Sequence, residues 1–210
     1  MKNQILTSVR FLSVLAASAG FAVAAPLAFD FKDPKGVNNV QFKLDAPLES
    51  ITGTATGISG TVTFDPAAPA ATSGRIVLDA ASLTVGNPLM GEHLRSDQWL
   101  DVARHPTIVF EAVALQNIRP QGAQILADVT GRLTVKGVTR DLTAPVTLTY
   151  LADKLGARVN DPKVKGDLLV LRTNFVINRS DFGIKAGQVT DKVAESIELS
   201  LSIAGAAPRS

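Results

Sequence analysis

The polar residues whose spacing suggests chemistry fall in two short segments of the chain. In the first, His93 and Asp97 are four residues apart, so a helix would bring an imidazole and a carboxylate together as a proton-transfer or metal-binding pair. With His105 as the only other histidine and no cysteine, a metal site would be short of ligands. No Gly-x-Ser-x-Gly nucleophile motif is present. We therefore predict no catalytic residue, no metal and no cofactor.

The second polar segment is Arg179-Ser180-Asp181-Phe182-Gly183. In a functional interpretation, Arg179 faces the anionic or carbonyl head group of a ligand. In a structural one, Arg179 and Asp181 pair to fix a turn, and Gly183 supplies the backbone freedom that the turn needs. The sequence leaves both open and favours the turn.

One short helix is predicted to carry His93. Asn87 and Pro88 are typical of an N-cap and a first helical residue, and Met90, Leu94 and Trp99 then recur at roughly helical spacing. Pro106 forces the residue before it out of helical geometry. We expect a helical lid over about residues 88–100, in which Met90 and Trp99 either gate an opening or dock the lid.

The remaining elements follow a period of two, which is typical of strands with one apolar face. Val62 and Phe64, for example, lie on one face of their segment, while Thr61 and Thr63 take the other. The pattern predicts about eight strands, near residues 40–44, 60–64, 76–78, 108–110, 127–135, 142–150, 169–177 and 197–203.

Short connections favour antiparallel order. Lys136-Gly137 is a hairpin signal, the glycines between Gly53 and Gly60 are interpreted as hairpin turns, and no helix long enough to cross between parallel strands is visible. The fold is then a sandwich or a closed barrel, and we favour the barrel because closure removes exposed edges. A membrane barrel is disfavoured, because charged residues such as Asp128 and Arg132 alternate along the polar face.

Residues 1–24 are typical of a secretory signal peptide. Lys2 and Arg10 precede a short apolar run, which ends in Ala22-Val23-Ala24 at the expected cleavage site. That run, about 13 residues, is too short to span a bilayer as a helix. We expect cleavage after Ala24, one domain over residues 25–210, and no stable membrane insertion.

Charge argues against nucleic acid as a partner. The full chain has 21 Lys and Arg against 19 Asp and Glu, and removing Lys2 and Arg10 with the signal leaves 19 against 19. A neutral domain without a basic run lacks the footprint of phosphate binding. Because cysteine is absent, the exported domain depends on its core and not on disulfides.

Four motifs follow one another along the chain. They are GTVTFDP at residues 60–66, SLTVGNPLMGEHLRSDQWLDVARHPTIVFEA at 82–112, VTGRLTVKGVTRDLTAPVTL at 129–148 and INRSDFGI at 177–184. In this order they resemble the YceI family of exported lipocalin-like proteins. The resemblance implies an antiparallel eight-stranded barrel with an apolar lumen, a periplasmic location, and binding of a long-chain isoprenoid or other lipid-like ligand. It implies no enzymatic activity.

Candidate ligand contacts combine the inward faces of the strands, the lid and the Arg179 segment. They are Val62, Phe64, Met90, His93, Leu94, Trp99, Phe110, Leu148, Phe175, Arg179, Phe182, Leu199 and Leu201. Core packing is the alternative for the apolar members, because small barrels are often filled by their own side chains. In that case the protein would be a protein-interaction or stress-related module without a bound lipid. Whether it is a monomer or a dimer stays open.

Overall fold

The computed structural model describes residues 25–209, so the predicted signal peptide lies outside the described residues. Antiparallel strands account for most of this part of the chain. They are β1 Leu27–Asp30, β2 Asn39–Asp45, β3 Ser50–Ala55, β4 Ile58–Phe64, β5 Ser73–Asp79, β6 Thr84–Val85, β7 Thr107–Gln121, β8 Gln124–Val135, β9 Val138–Leu151, β10 Lys165–Asn178 and β11 Ser196–Arg209.

The sheet closes into an eight-stranded antiparallel barrel, as the sequence predicts. The ring runs β1-β4-β5-β7-β8-β9-β10-β11, and Asp30 of β1 pairs with Ala206 of β11 to complete it. The longest ladder joins β10 and β11 from Lys165–Arg209 to Asn178–Ser196. Closure leaves neither edge of this ring exposed to another chain.

The barrel has eight strand positions but eleven strands, because some positions are occupied by two strands separated by a short break. Both β1 and β2 pair with β11, while β3 pairs with β2 and β4 pairs with β1. Likewise β5 pairs with β4, and β6 pairs with β3 after a 3-10 turn at Ala80–Ser82. Three barrel positions are therefore each made of two short strands in sequence.

The turn predicted at Lys136-Gly137 joins β8 to β9. Both residues have positive φ, 49° and 75°, as a two-residue type I′ hairpin requires. The hairpin fixes the register of two long strands, and so it keeps Leu133 and Val135 on the inner face with Leu142 and Ala144.

The interpretation of Gly53 to Gly60 as hairpin turns is wrong. Gly53 lies within β3, and a side chain there would meet the Phe42 ring, since an added Cβ would lie 2.2 Å from Cζ. Gly60 lies within β4 at φ 120°, where an added Cβ would lie 2.0 Å from the carbonyl oxygen of Arg75. These glycines permit close approach between strands, which a sequence pattern does not distinguish from a turn.

Aromatic side chains fill one end of the barrel. Phe29, Phe64 and Tyr150 have ring centroids 6.2–6.4 Å apart. The Tyr150 hydroxyl donates to the Asp167 carboxylate at 2.9 Å, and burial together with this bond raises the pKa of Tyr150. Arg209 pairs with the same carboxylate at 3.0 Å. This end is therefore closed by packed rings and a satisfied polar network.

Helices are short. Helix α1 is Pro88–Arg95 and α2 is Leu155–Val159, and 3-10 turns include Pro69–Ala71 and Arg179–Phe182. Within residues 25–209, no helix has the length and apolar character needed to cross a membrane.

A glycine comparison tests the close approach at Gly60. Gly60→Ala adds a Cβ against the backbone of Arg75 at a φ that side chains rarely adopt, so we expect a loss of about 3 kcal/mol or more in free energy of unfolding. Gly122→Ala is the control, because its φ is also positive at 60° but nothing lies within 4 Å of an added Cβ. We expect about 1 kcal/mol there, measured by urea denaturation. Equal losses would contradict this assignment.

Candidate functional site

An apolar cavity of about 490 Å³ runs through the barrel interior from the end opposite the aromatic cluster. We call this open end the mouth. It is bounded by residues 46–49, 86–106 and 179–195, together with the β8–β9 hairpin. The volume is within the range of small-molecule binding pockets, so the barrel is hollow in its middle and not filled by its own side chains.

Twelve of the thirteen predicted ligand contacts line this cavity. They are Val62, Met90, His93, Leu94, Trp99, Phe110, Leu148, Phe175, Arg179, Phe182, Leu199 and Leu201. The structure thus brings strand, helix and loop residues to one space. Their contact with a ligand stays a prediction.

Phe64 is the member of the set that the structure places elsewhere. It has the same inward orientation as Val62, but it lies at the closed end of β4, where it is fully buried against Phe29 and Tyr150. Alternation gives the face of a residue but not its depth along the barrel, which explains the difference.

Most of the cavity wall lies outside the predicted contact set, although the same alternation marks these residues as facing inward. The further inward side chains of the strands are Val40, Phe42, Leu44, Ile51, Ile58, Ile76, Leu78, Val85, Ile108, Ala112, Leu115, Val129, Leu133, Val135, Leu142, Ala144, Val146, Leu171, Ile177, Ile197 and Ile203. Loop residues Ile184, Val189 and Val193 also line the cavity. No sequence periodicity identifies these loop residues as cavity-lining, because their position depends on how the loop folds back over the barrel.

The lid begins as predicted. Asn87 caps α1, its side chain accepting a hydrogen bond from the Met90 amide at 3.2 Å, and Pro88 is the first helical residue. The helix places Met90, His93 and Leu94 on the cavity.

The predicted extent of the lid helix, to about residue 100, is wrong. The α-helix ends at Arg95, because the Ser96 hydroxyl and amide both donate to the His93 carbonyl oxygen, at 2.7 and 3.0 Å. The chain then turns, with Asp101 at φ 51°, and Trp99 and Leu100 reach the cavity from this turn.

Arg179 fastens the loop at residues 183–195. Its side chain is 1% exposed, and its guanidinium donates to backbone carbonyl oxygens of Ala194 at 3.0 Å, Ile184 at 2.9 Å and Gln188 at 2.6 Å. It also donates to the carbonyl oxygens of Lys185 and Val193 and forms an ion pair with Glu195 at 3.1 Å.

This network decides between the two interpretations of Arg179. A guanidinium has five N–H donors, and the loop uses all of them, so none remains for a head group. The pairing partner is Glu195 and the loop carbonyls, not Asp181. Gly183 does supply the turn, at φ 69°. Arg179 therefore borders the cavity as a positioning residue.

Polar groups on the cavity wall are few, and those with free capacity lie at the mouth. The lining residues that carry a polar or charged group are Glu49, Thr72, His93, Trp99, Thr173, Arg179 and Lys192. Each threonine hydroxyl donates to a backbone carbonyl oxygen at 2.6 Å. Glu49, His93 and Lys192 belong to three different mouth segments, so the cavity has a polar rim and an apolar interior.

The pair of His93 and Asp97 that a continuous helix would allow is not formed. Among the described residues, neither side chain has a hydrogen bond or ion pair to the other, since the helix ends between them. Nor does the described part of the chain contain a cluster of three His, Cys, Asp or Glu side chains that could hold a metal ion. The arrangement instead suits enclosure of a hydrocarbon chain.

Lys185 connects the two segments that cover the mouth, namely the loop at residues 183–195 and the turn after α1. Its ammonium nitrogen lies 3.2 Å from Oε1 of Gln98 and 5.4 Å from the centroid of the Trp99 ring. The loop held by Arg179 therefore contacts the turn that follows α1.

Comparison with known proteins agrees with this geometry. The model of the YceI-like domain matches residues 32–204. Protein YceI of Escherichia coli O157:H7 is 29% identical over 205 residues, which cover 98% of each chain.

Two solved structures share the fold. The crystal structure of Burkholderia cenocepacia BcnA aligns with a TM-score of 0.65 at 23% identity, covering 80% of this chain and 95% of that one. A domain from Saccharophagus degradans, described as polyisoprenoid binding and implicated in plant cell wall breakdown, aligns with a TM-score of 0.62 at 13% identity, covering 87% and 99%.

The Arg179 network predicts a large effect on stability. Arg179→Met keeps much of the side-chain volume but leaves the loop carbonyls and Glu195 without their donor, so we expect a loss of about 3–5 kcal/mol in free energy of unfolding. Arg132→Met is the control, because Arg132 pairs with Glu111 at 3.0 Å on the exposed surface, and it should cost less than about 1 kcal/mol. Urea denaturation measures both. Similar losses would show that Arg179 does not fasten the loop.

The loop also predicts a pH dependence. The amide of Gly187 donates to Glu195 at 2.8 Å and, with the Arg179 guanidinium, holds the pKa of Glu195 below its usual 4.5. A lowered pKa means that the ionised carboxylate stabilises the fold above pH 4.5 and that this contribution is lost as pH falls through the lowered value.

The stability difference between the wild type and Glu195→Gln should therefore be greatest near neutral pH and narrow on acidification. Thermal unfolding at a series of pH values measures it. Glu92→Gln is the control, since Glu92 has no ion pair or side-chain hydrogen bond among the described residues. A constant difference across the series would contradict the assigned role of Glu195.

Proposed function

Because this chain belongs to the YceI-like family, we propose that it binds a long-chain isoprenoid or a similar lipid-like amphiphile in the barrel cavity and carries it without chemical change. The observation that carries the proposal is the cavity of about 490 Å³ with an apolar wall and a polar rim. A fold relative described as a polyisoprenoid binding domain gives the ligand class further support.

Hydrocarbon burial alone can supply the affinity. Each buried CH₂ contributes about 0.8 kcal/mol, so a five-carbon prenyl unit contributes roughly 4 kcal/mol before costs. Association costs about 4–15 kcal/mol in lost freedom, which a few buried units offset. The apolar wall therefore needs no polar partner deep in the barrel.

The polar rim sets the direction of the ligand. The tail points toward the closed end of the barrel, where the aromatic cluster stops the cavity, and the head group stays at the mouth near Glu49, His93 and Lys192. These residues act on orientation and selectivity, while the tail supplies most of the binding energy.

A lipid carrier would be useful in the periplasm, the compartment that the sequence predicts for this protein. A polyprenyl chain exposes apolar surface to water and cannot cross an aqueous periplasm unaided. A hollow barrel that shields the tail solves this, and export to the periplasm through residues 1–24 remains part of the proposal. The alternative, a packed interaction module, requires a filled interior, and the cavity argues against it.

Lipid extraction from the purified protein, with native mass spectrometry, tests the proposal. We expect a co-purifying long-chain lipid that is recovered chemically unchanged. The double variant Ala112→Trp and Ala144→Trp places two large rings in the cavity and should lower bound lipid at least tenfold.

The control variant carries the same rings on the outer surface of the same strands, as Val113→Trp and Thr143→Trp, and should bind like the wild type. A wild type that is consistently empty and refuses added polyprenyl lipid would overturn the proposal. Unchanged lipid content in the cavity variant would do the same.

A further inference from the structure

Large apolar side chains are exposed around the mouth. Leu48 is 67% exposed, Leu89 is 60% exposed and Val189 is 45% exposed. They come from three segments that bound the opening, namely residues 46–49, helix α1 and residues 183–195. A single exposed apolar side chain is ordinary on a protein surface, but three such side chains around one apolar opening form a shared apolar surface.

Backbone and side-chain contacts join these segments into one rim. The Leu48 amide donates to the Asp191 carbonyl oxygen at 2.9 Å, which connects the first segment to the loop that carries Val189. Lys185 connects the same loop to Gln98 beyond α1. Leu89 directly precedes Met90, which lines the cavity. The three exposed side chains are therefore held on a connected frame.

Val189 makes the interior wall continuous with the outer surface. It lines the cavity and is exposed at the same time. Its φ is 48°, a strained value for a β-branched residue, and its carbonyl oxygen accepts hydrogen bonds from the amides of Lys192 at 3.1 Å and Val193 at 2.8 Å. The loop thus holds an apolar side chain at the edge of the opening despite the strain.

The charge of the rim is mixed. The basic residues Arg95, Arg104, Lys136, Lys185 and Lys192 lie among acidic residues on the mouth segments, which include Glu49, Glu92, Asp97, Asp101 and Asp191. A partner recognised by charge would need one sign to dominate. The rim instead combines apolar tips with balanced charges, which suits contact with neutral lipid head groups and insertion among acyl chains.

We propose that the mouth rim docks on a lipid bilayer surface of neutral or zwitterionic head groups, with Leu48, Leu89 and Val189 inserted and the cavity open toward the acyl chains. This inference rests on the proposed function in one respect, that the cargo is a membrane lipid. Docking then lets an apolar tail pass between bilayer and barrel without crossing water.

Sedimentation with phosphatidylcholine and phosphatidylethanolamine vesicles that contain no polyprenyl lipid tests the docking. The rim variant Leu48→Ser, Leu89→Ser and Val189→Asn leaves the charge unchanged, and asparagine tolerates the positive φ. We expect at least a tenfold loss of vesicle binding, and the wild type should keep its binding in about 0.5 M salt, where charge attraction is screened.

The control variant Val37→Ser, Val113→Ser and Val159→Ser removes three exposed valines away from the mouth. It should bind vesicles like the wild type, and thermal unfolding should show that both variants fold. The docking proposal is overturned if the rim variant binds as the wild type does, if the wild type ignores vesicles, or if binding requires anionic lipid and disappears in salt. Binding to a protein partner through the rim, with no vesicle binding, would also overturn it.

Failure of docking and failure of carriage give different results. Polyprenyl lipid supplied in detergent measures cavity binding alone, and the double variant Leu48→Ser and Leu89→Ser, which leaves the cavity lining unchanged, should take it up like the wild type. An empty cavity together with rim-dependent vesicle binding would overturn carriage and leave docking standing. Normal loading from detergent without vesicle binding would overturn docking alone.

Discussion

Backbone pairing of β11 with β1 and β2 closes the sheet into a ring, and the rest of the structure depends on it. An open sheet with this alternation would have to cover its apolar face with another layer. Closure lets the sheet cover its own face, and eight strands leave a ring wide enough to stay partly hollow. The cavity is a consequence of closure and needs no separate domain.

The two ends of this ring are built from different interactions. At one end, Phe29, Phe64 and Tyr150 pack together, so no opening is left. At the other, the Arg179 guanidinium holds a loop by hydrogen bonds to its backbone, which orders the loop without filling the barrel. The aromatic cluster closes one end of the barrel, and the loop held by Arg179 leaves the other end open as the mouth. Both the carrier proposal and the docking proposal depend on this difference between the two ends.

Several elements could be predicted because they rest on local rules. Alternation identified the inner face, Asn87-Pro88 identified the start of the lid, and Lys136-Gly137 identified a hairpin. The closed antiparallel barrel followed from strand number and short connections, together with the family motifs. Of the candidate contacts, those chosen by face reach the cavity wall, with Phe64 as the exception. The signal peptide stays a prediction.

The chain sequence by itself therefore determined which side chains face inward and where a helix and a tight turn begin. Only the tertiary structure decided how deep each residue lies, which partner Arg179 takes, and where the lid helix ends. The physical reason is that the direction of a side chain depends on the two-residue period of its own strand. Its depth in the barrel, its ion pair and its close contacts depend instead on residues far away in the sequence. Gly60 against Arg75 and Arg179 against Glu195 are contacts of this second kind.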